Sequence, residues 1–213
     1  METLQKEKAK TELDFLKAQI NPHFIFNYLN TIYFQINKEN QTARTTLLKF
    51  SELLRYQLYE CNTEKISIEK EVAYLENYID LQRLRYSENY KIDFQKGSSV
   101  ASSFAMTSTH FEIPPLIVVP FVENAFKYVS NYPDKLNEIE IKLDRDAAFF
   151  TCYVRNTTEP MREKMPTVNG GIGLQNVKRR LDLLYQPNDF ELTIEESEGF
   201  FKVFLKLKID IIT

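Results

Sequence analysis

The 213-residue sequence has no tryptophan, two cysteines, two histidines and five glycines. Each shortage removes a class of protein. Cys61 and Cys152 lie far apart, and neither has a second Cys or a His at metal-ligand spacing, so a disulfide scaffold and a zinc site both drop out. Long apolar runs are missing as well. The longest, residues 113–122, falls short of the ~20 residues a spanning helix needs and is interrupted by Pro114, Pro115 and Pro120. The opening METLQKEKAKTELDFLK is charged and amphipathic, without the cleavable apolar core of a secretory signal. There is no excess of positive charge: 27 Lys plus Arg stand against 30 Asp plus Glu, for a net charge of −3. No global field attracts nucleic acid, and direct nucleic-acid binding is not expected. With 43% hydrophobic residues the chain can bury a real core, and its cysteine usage suits a reducing, cytoplasmic setting.

The glycines that are present cluster: Gly170, Gly171 and Gly173 fall within four positions, concentrating backbone freedom at one point. The first sixty residues contain no glycine and one proline. Leu13, Leu16, Ile20 and Phe24 recur at three-and-four spacing, as do Leu47, Phe50, Leu54 and Leu58 after a polar break at 37–42, which predicts a helical hairpin. A third helix is expected over 68–85, with Val72, Leu75, Ile79 and Leu84 inward. Glu69 and Glu71 in its first turn and Arg83 and Arg85 in its last suit the helix dipole.

From Tyr90 the period changes to two, giving a strand and then a Ser/Thr-rich loop over 97–109. Pro114 and Pro115 precede an apolar-periodic run to about Tyr128, as prolines in a first helical turn do. Runs 138–143 and 149–154 read as a β-hairpin. The Pro-containing segment 157–169 leads to a helix over 174–184, and 190–194 and 201–209, joined around Gly199, read as a last hairpin. The fold class is α+β: residues 1–64 are expected to form helices and residues 65–213 an α/β sandwich, with the boundary near 62–65.

Three motifs could carry chemistry. In QINPHFIFNYLN, Pro22 interrupts a helical pattern at a cost of ~3 kcal/mol, which suggests a kink beside His23. His23 and Asn27 are four apart and share a face, and an imidazole is a nucleophile near neutral pH. A histidine packed at a helix seam would look the same. In ENAFKY, Asn124 and Lys127 lie one turn apart, an amide oxygen able to ligate Mg²⁺ beside an ammonium able to meet phosphate, with Tyr128 adding an aromatic edge. A solvent-facing stripe would also look like this. In NGGIGL, small residues open a helix whose N-terminus can receive an anion, and Lys178, Arg179 and Arg180 follow.

In this order the motifs describe a phosphoacceptor upstream of a Mg-nucleotide site. The sequence here resembles the LytS-like sensor histidine kinases, whose catalytic half has the GHKL, or Bergerat, ATP-binding fold. The likeness covers nearly the whole chain: LKAQINPHFIFNYLNTI for the phosphoacceptor helix, LLRYQLYE and ISIEKEVAYLENYIDLQRLRY for connecting helices, IPPLIVVPFVENAFKY for the N box and GGIGLQNVKRRLDLLY for the second glycine box.

The resemblance implies that His23 is phosphorylated by ATP, with Asn27 on the same face, and that the helices pair into a four-helix bundle in a homodimer. It implies that Asn124 ligates Mg²⁺, Lys127 contacts phosphate, Tyr128 borders the nucleotide, and Glu123 is a polar partner there. Gly171 and Gly173 let a lid close over the phosphates, and Leu174 and Asn176 line the pocket on the following helix. The phosphoryl group then passes to an aspartate of a response regulator, in this family often one with a LytTR DNA-binding domain. Such proteins carry sensor and membrane segments upstream, which implies the cytoplasmic part of a receptor anchored in the inner or plasma membrane.

Three positions depart from the wider pattern. Asn156 stands where GHKL kinases place an Asp that accepts from the adenine amine, leaving a neutral acceptor. Phe24 follows the histidine where other classes have an acid. Segment 157–169 is short and lacks the first glycine box. Two alternatives follow: a non-catalytic dimeric interaction module of the same fold, and a GHKL ATPase of the repair or chaperone type that turns over without His23.

Overall fold

The computed structural model describes residues 22–101, 110–159, 172–197 and 199–212. The chain separates into two compact units, Met1–Leu58 and Tyr59–Thr213.

In the first unit, helix α1 (Pro22–Gln35) and helix α2 (Gln41–Tyr59) are joined by the polar break that the sequence indicates. Asn40 starts α2 by accepting the Ala43 N–H on Oδ1 at 3.0 Å, and Asn37 turns the chain by accepting the Glu39 N–H. The Arg44 guanidinium lies 4.2 Å from the Tyr33 ring centre and that of Arg55 lies 5.2 Å from Phe26. Contacts both near the connection and far from it mean that the helices run antiparallel, as a hairpin. The positions buried in α2 are Leu53 and Tyr56, whereas Phe50 is exposed. Leu13, Leu16, Ile20 and the chain entering Pro22 lie outside the described residues.

The second unit opens with strand β1 (Ile66–Ser67) and helix α3 (Ile68–Arg83), whose N-cap Ser67 accepts the Lys70 N–H. Val72, Leu75 and Ile79 face inward as expected, but the helix stops at Arg83 and leaves Leu84, one residue past its end, 59% exposed. Strand β2 (Tyr90–Lys96) follows, and the expected loop begins instead as a short helix α4 (Ser98–Ala101). Strand β3 (His110–Ile113), which no alternation in the sequence announced, is the centre of a small antiparallel sheet with β1 and the terminal strand β8 (Asp210–Ile212). Helix α5 (Val119–Tyr128) starts later than expected. Its first-turn proline is Pro120, while Pro114 and Pro115 are buried in the preceding turn.

The main sheet has the order β2-β4-β5-β7-β6, with β4 at Asn137–Arg145, β5 at Phe149–Thr157, β6 at Phe190–Ser197 and β7 at Phe200–Lys208. Both predicted hairpins form, and Gly199 takes the positive φ of 82° that the last turn requires. The β2–β4 pair is parallel and the rest are antiparallel. Alternation puts Ile139, Ile141, Leu143, Phe150, Cys152, Val154, Val203, Leu205 and Leu207 on one buried face. Apolar faces of α3, α5 and helix α6 (Ile172–Leu184) bury against the same core. Each large side chain so covered contributes roughly 1.5–3 kcal/mol. The opposite face is polar: Arg155 pairs with Glu138 at 3.3 Å and Glu140 at 3.4 Å. The free edge of β6 carries exposed Glu191, Glu195 and Glu196. Neither cysteine is in a disulfide, and burial pushes the Cys152 thiol upward.

Candidate functional site

Helix α5 divides cleanly by face. Phe121, Val122, Ala125 and Phe126 are buried, and the outward side consists of Glu123, Asn124, Lys127 and Tyr128, at i, i+1, i+4 and i+5. One turn therefore presents a carboxylate, a half-buried amide, an ammonium and a phenol together. Lys127 Nζ sits 5.0 Å from the Tyr128 ring centre. Behind this face Phe126 packs on the rings of Tyr78 and Tyr86, and the Tyr86 hydroxyl donates to the Phe126 carbonyl at 2.7 Å. Partial burial raises the Glu123 carboxyl above the usual range. Burial and then the Glu123 charge push the Tyr78 hydroxyl up to about 12.

The end of α5 is tied to the end of β5. The Ser130 N–H donates to the Thr157 carbonyl at 2.8 Å, and the Tyr132 hydroxyl to the Thr158 carbonyl at 3.2 Å. Ser130, Asn137 and Thr157 form a buried polar knot: Ser130 Oγ lies 2.7 Å from both Asn137 Oδ1 and Thr157 Oγ1. A hydroxyl has one proton, and the amide oxygen can only accept, so Ser130 donates to Asn137 and the Thr157 hydroxyl donates back. Next to this knot, Asn156 is 1% exposed. Its Nδ2 donates to the Thr157 carbonyl at 3.1 Å, while its Oδ1 is buried with no hydrogen-bond partner. A carbonyl can only accept, so the amide is held in one orientation with its acceptor unsatisfied, an arrangement that costs free energy until a donor arrives.

His23 lies in the first unit, exposed on the first turn of α1. Asn27 Nδ2 is 3.2 Å from His23 Nδ1. The pair predicted to share a face does so, and an amide group against Nδ1 selects the ring tautomer.

A family model described as Histidine kinase matches residues 11–90, a span that contains His23. The sensor protein LytS of Staphylococcus haemolyticus is 30% identical over 184 residues, covering 82% of this chain and 30% of that protein. Over most of its length the chain is similar to the LytS-like histidine kinases. The sensor histidine kinase YpdA of Escherichia coli is 30% identical over 193 residues, covering 86% of the chain and 32% of that protein. The chain thus spans less than a third of the length of these curated relatives. The solved histidine kinase domain from the Erythrobacter litoralis EL346 blue-light activated histidine kinase aligns over 92% of this chain and 95% of its own, with a TM-score of 0.49 and 14% identity.

The remaining candidates are spread along α6. Leu174 is buried with Val177 and Leu181 on the inward side, and Asn176 is exposed. Gly173 is the second residue of α6, and a Cβ there would meet nothing within 4 Å. Gly171 and most of the expected lid lie outside the described residues. A cleft of about 580 Å³ between the 63–65 linker and the end of α6, lined by Lys65, Pro114, Arg180 and Leu184, contains none of the predicted site residues. Sequence reasoning passed over the Ser130–Asn137–Thr157 knot, because small polar residues in strands and loops carry no periodic signal. It also read Glu71 only as a dipole partner.

Proposed function

We propose that this chain is a histidine kinase that binds Mg-ATP at the outward face of α5 and the end of β5, phosphorylates His23, and passes the phosphoryl group to an aspartate of a response regulator. Residues 1–64 act as the phosphotransfer and dimerisation part and residues 65–213 as the nucleotide-binding part. The observation that carries the reading is the buried, unsatisfied Oδ1 of Asn156, an acceptor fixed in place and suited to the adenine amine. Asn124 would hold Mg²⁺, Lys127 would meet phosphate, and Tyr128 would border the nucleotide. Among the described residues no cluster of three His, Cys, Asp or Glu could hold a metal. That fits a Mg²⁺ that arrives on the phosphates and takes one or two protein ligands. When bound, the ion neutralises charge on the phosphates during transfer. Gly171, Gly173, Leu174 and Asn176 complete the nucleotide side of the proposal, and Glu123 stays a polar neighbour.

At His23 the Asn27 amide sets the ring tautomer. With the Asn27 amide nitrogen donating to Nδ1, the neutral ring carries its proton on Nε2; a ring nitrogen forms the N–P bond as the bond from the γ-phosphorus to the β–γ bridging oxygen breaks, and the ring proton passes to solvent. Exposed Phe24, Tyr28 and Ile32, spaced four apart on α1, support a homodimeric bundle. ATP and aspartyl regulators place the reaction in the cytoplasm, and a LytTR-type regulator is the partner that the resemblance suggests.

The test is labelling with γ-labelled ATP and Mg²⁺. Acid-labile label in the wild type, absent from His23→Ala and Asn124→Ala, is the expected result. Label that survives acid or persists in His23→Ala would overturn the assignment, as would no Mg-ATP binding at millimolar concentration.

A further inference from the structure

Helix α5 lacks what opens a helix. Its N-cap residue, Val118, makes no side-chain cap bond, and Pro120 in the first turn has no N–H. The chain leading into it is strained, since Leu116 has a φ of 55°, a left-handed conformation that a side chain disfavours.

Glu71 supplies the missing partner. Its residue is 0% exposed, and its carboxylate accepts the Leu116 N–H on Oε2 at 2.9 Å and the Val118 N–H on Oε1 at 3.5 Å. A negative group there also faces the positive end of the α5 dipole. The placement follows from the register of the small sheet. Ile66 of β1 is opposite Ile113 of β3, so Glu71 and Val118 each lie five residues beyond one shared point. A buried carboxylate is unfavourable unless fixed donors meet it, and here the donors are the backbone of the strained turn.

We propose that Glu71 is a positioning residue for α5: by holding Leu116 and Val118 it sets the depth and rotation of the helix and hence where Asn124 and Lys127 meet the nucleotide. It acts through α5 and touches no nucleotide. The nucleotide half of this inference rests on the function proposed above; the hold on α5 does not.

Glu71→Gln and Glu71→Ala would be compared with wild type by hydrogen exchange of segment 113–128 and of the central strands, and by Mg-ATP calorimetry. Gln keeps the volume and one acceptor oxygen but turns an N–H toward a backbone donor, so it carries the test even where Ala fails to fold. Exchange over 113–128 is expected to quicken roughly tenfold in Gln while β4, β5 and β7 keep their protection. The Mg-ATP dissociation constant rises by roughly the same factor. Exchange that rises equally across the unit, or not at all in 113–128, overturns the proposal, and so does unchanged Mg-ATP affinity with a loosened α5. Wild type that binds no Mg-ATP, with the local exchange change intact, removes the nucleotide reading and supports the hold on α5.

Discussion

Asn156 shows how much one atom can matter in a dry place. An Asp there would set two acceptors against each other, its carboxylate and the Thr157 carbonyl now paired with Nδ2. Asn156→Asp is expected to destabilise the unit by about 1–3 kcal/mol. The sign with pH follows from burial, which raises a carboxyl in the folded state above its unfolded value of ~3.9. As pH climbs past that value the unfolded chain gives up its proton before the folded one does, so folded stability falls with rising pH. The gap in melting temperature between variant and wild type should therefore be wider at pH 8 than at pH 5, and added Mg-ATP should narrow it. Equal gaps at both pH values would mean that the side chain is not desolvated. Residues of this kind were partly legible in the sequence. Position 156 stood out because its type departs from a motif, but its orphaned oxygen depends on a carbonyl one residue on, which only the folded backbone places.

Among the elements, those built from local signals were the most readable. Helices α1, α2, α3 and α6 and both hairpins follow from apolar spacing, caps and turn residues. Strand β3 did not, since four residues with one charge among them carry too little alternation, and their pairing with β1 and β8 depends on chain more than forty residues away on either side. The start of α5 was misplaced for a related reason: three prolines each permit a helix start, and tertiary burial of Pro114 and Pro115 selects the third. Caps give the sharpest element-level test. Asn40→Ala removes the Ala43 N–H acceptor and should destabilise α2 by about 1 kcal/mol, seen as lost far-ultraviolet helicity on mild heating. Unchanged helicity would show that the first turn of α2 is held by packing.

On the scale of the whole molecule, the two units differ in how much apolar surface they cover. The second has a closed core, whereas the first leaves Phe24, Tyr28, Ile32 and Phe34 of α1 exposed, more large apolar surface than one helical hairpin can cover. Ile32→Glu should shift the protein from dimer to monomer in sedimentation at micromolar concentration, while thermal melting of the second unit stays within about 0.5 kcal/mol of wild type. A dimer that survives the substitution would move the association surface elsewhere. The acidic rim of β6 bears on association too. A strand from another copy laid along that rim parallel and in register would bring carboxylates against carboxylates, which disfavours that way of extending the sheet. Copies crowded side by side are thereby steered away from matching their β6 strands in parallel register.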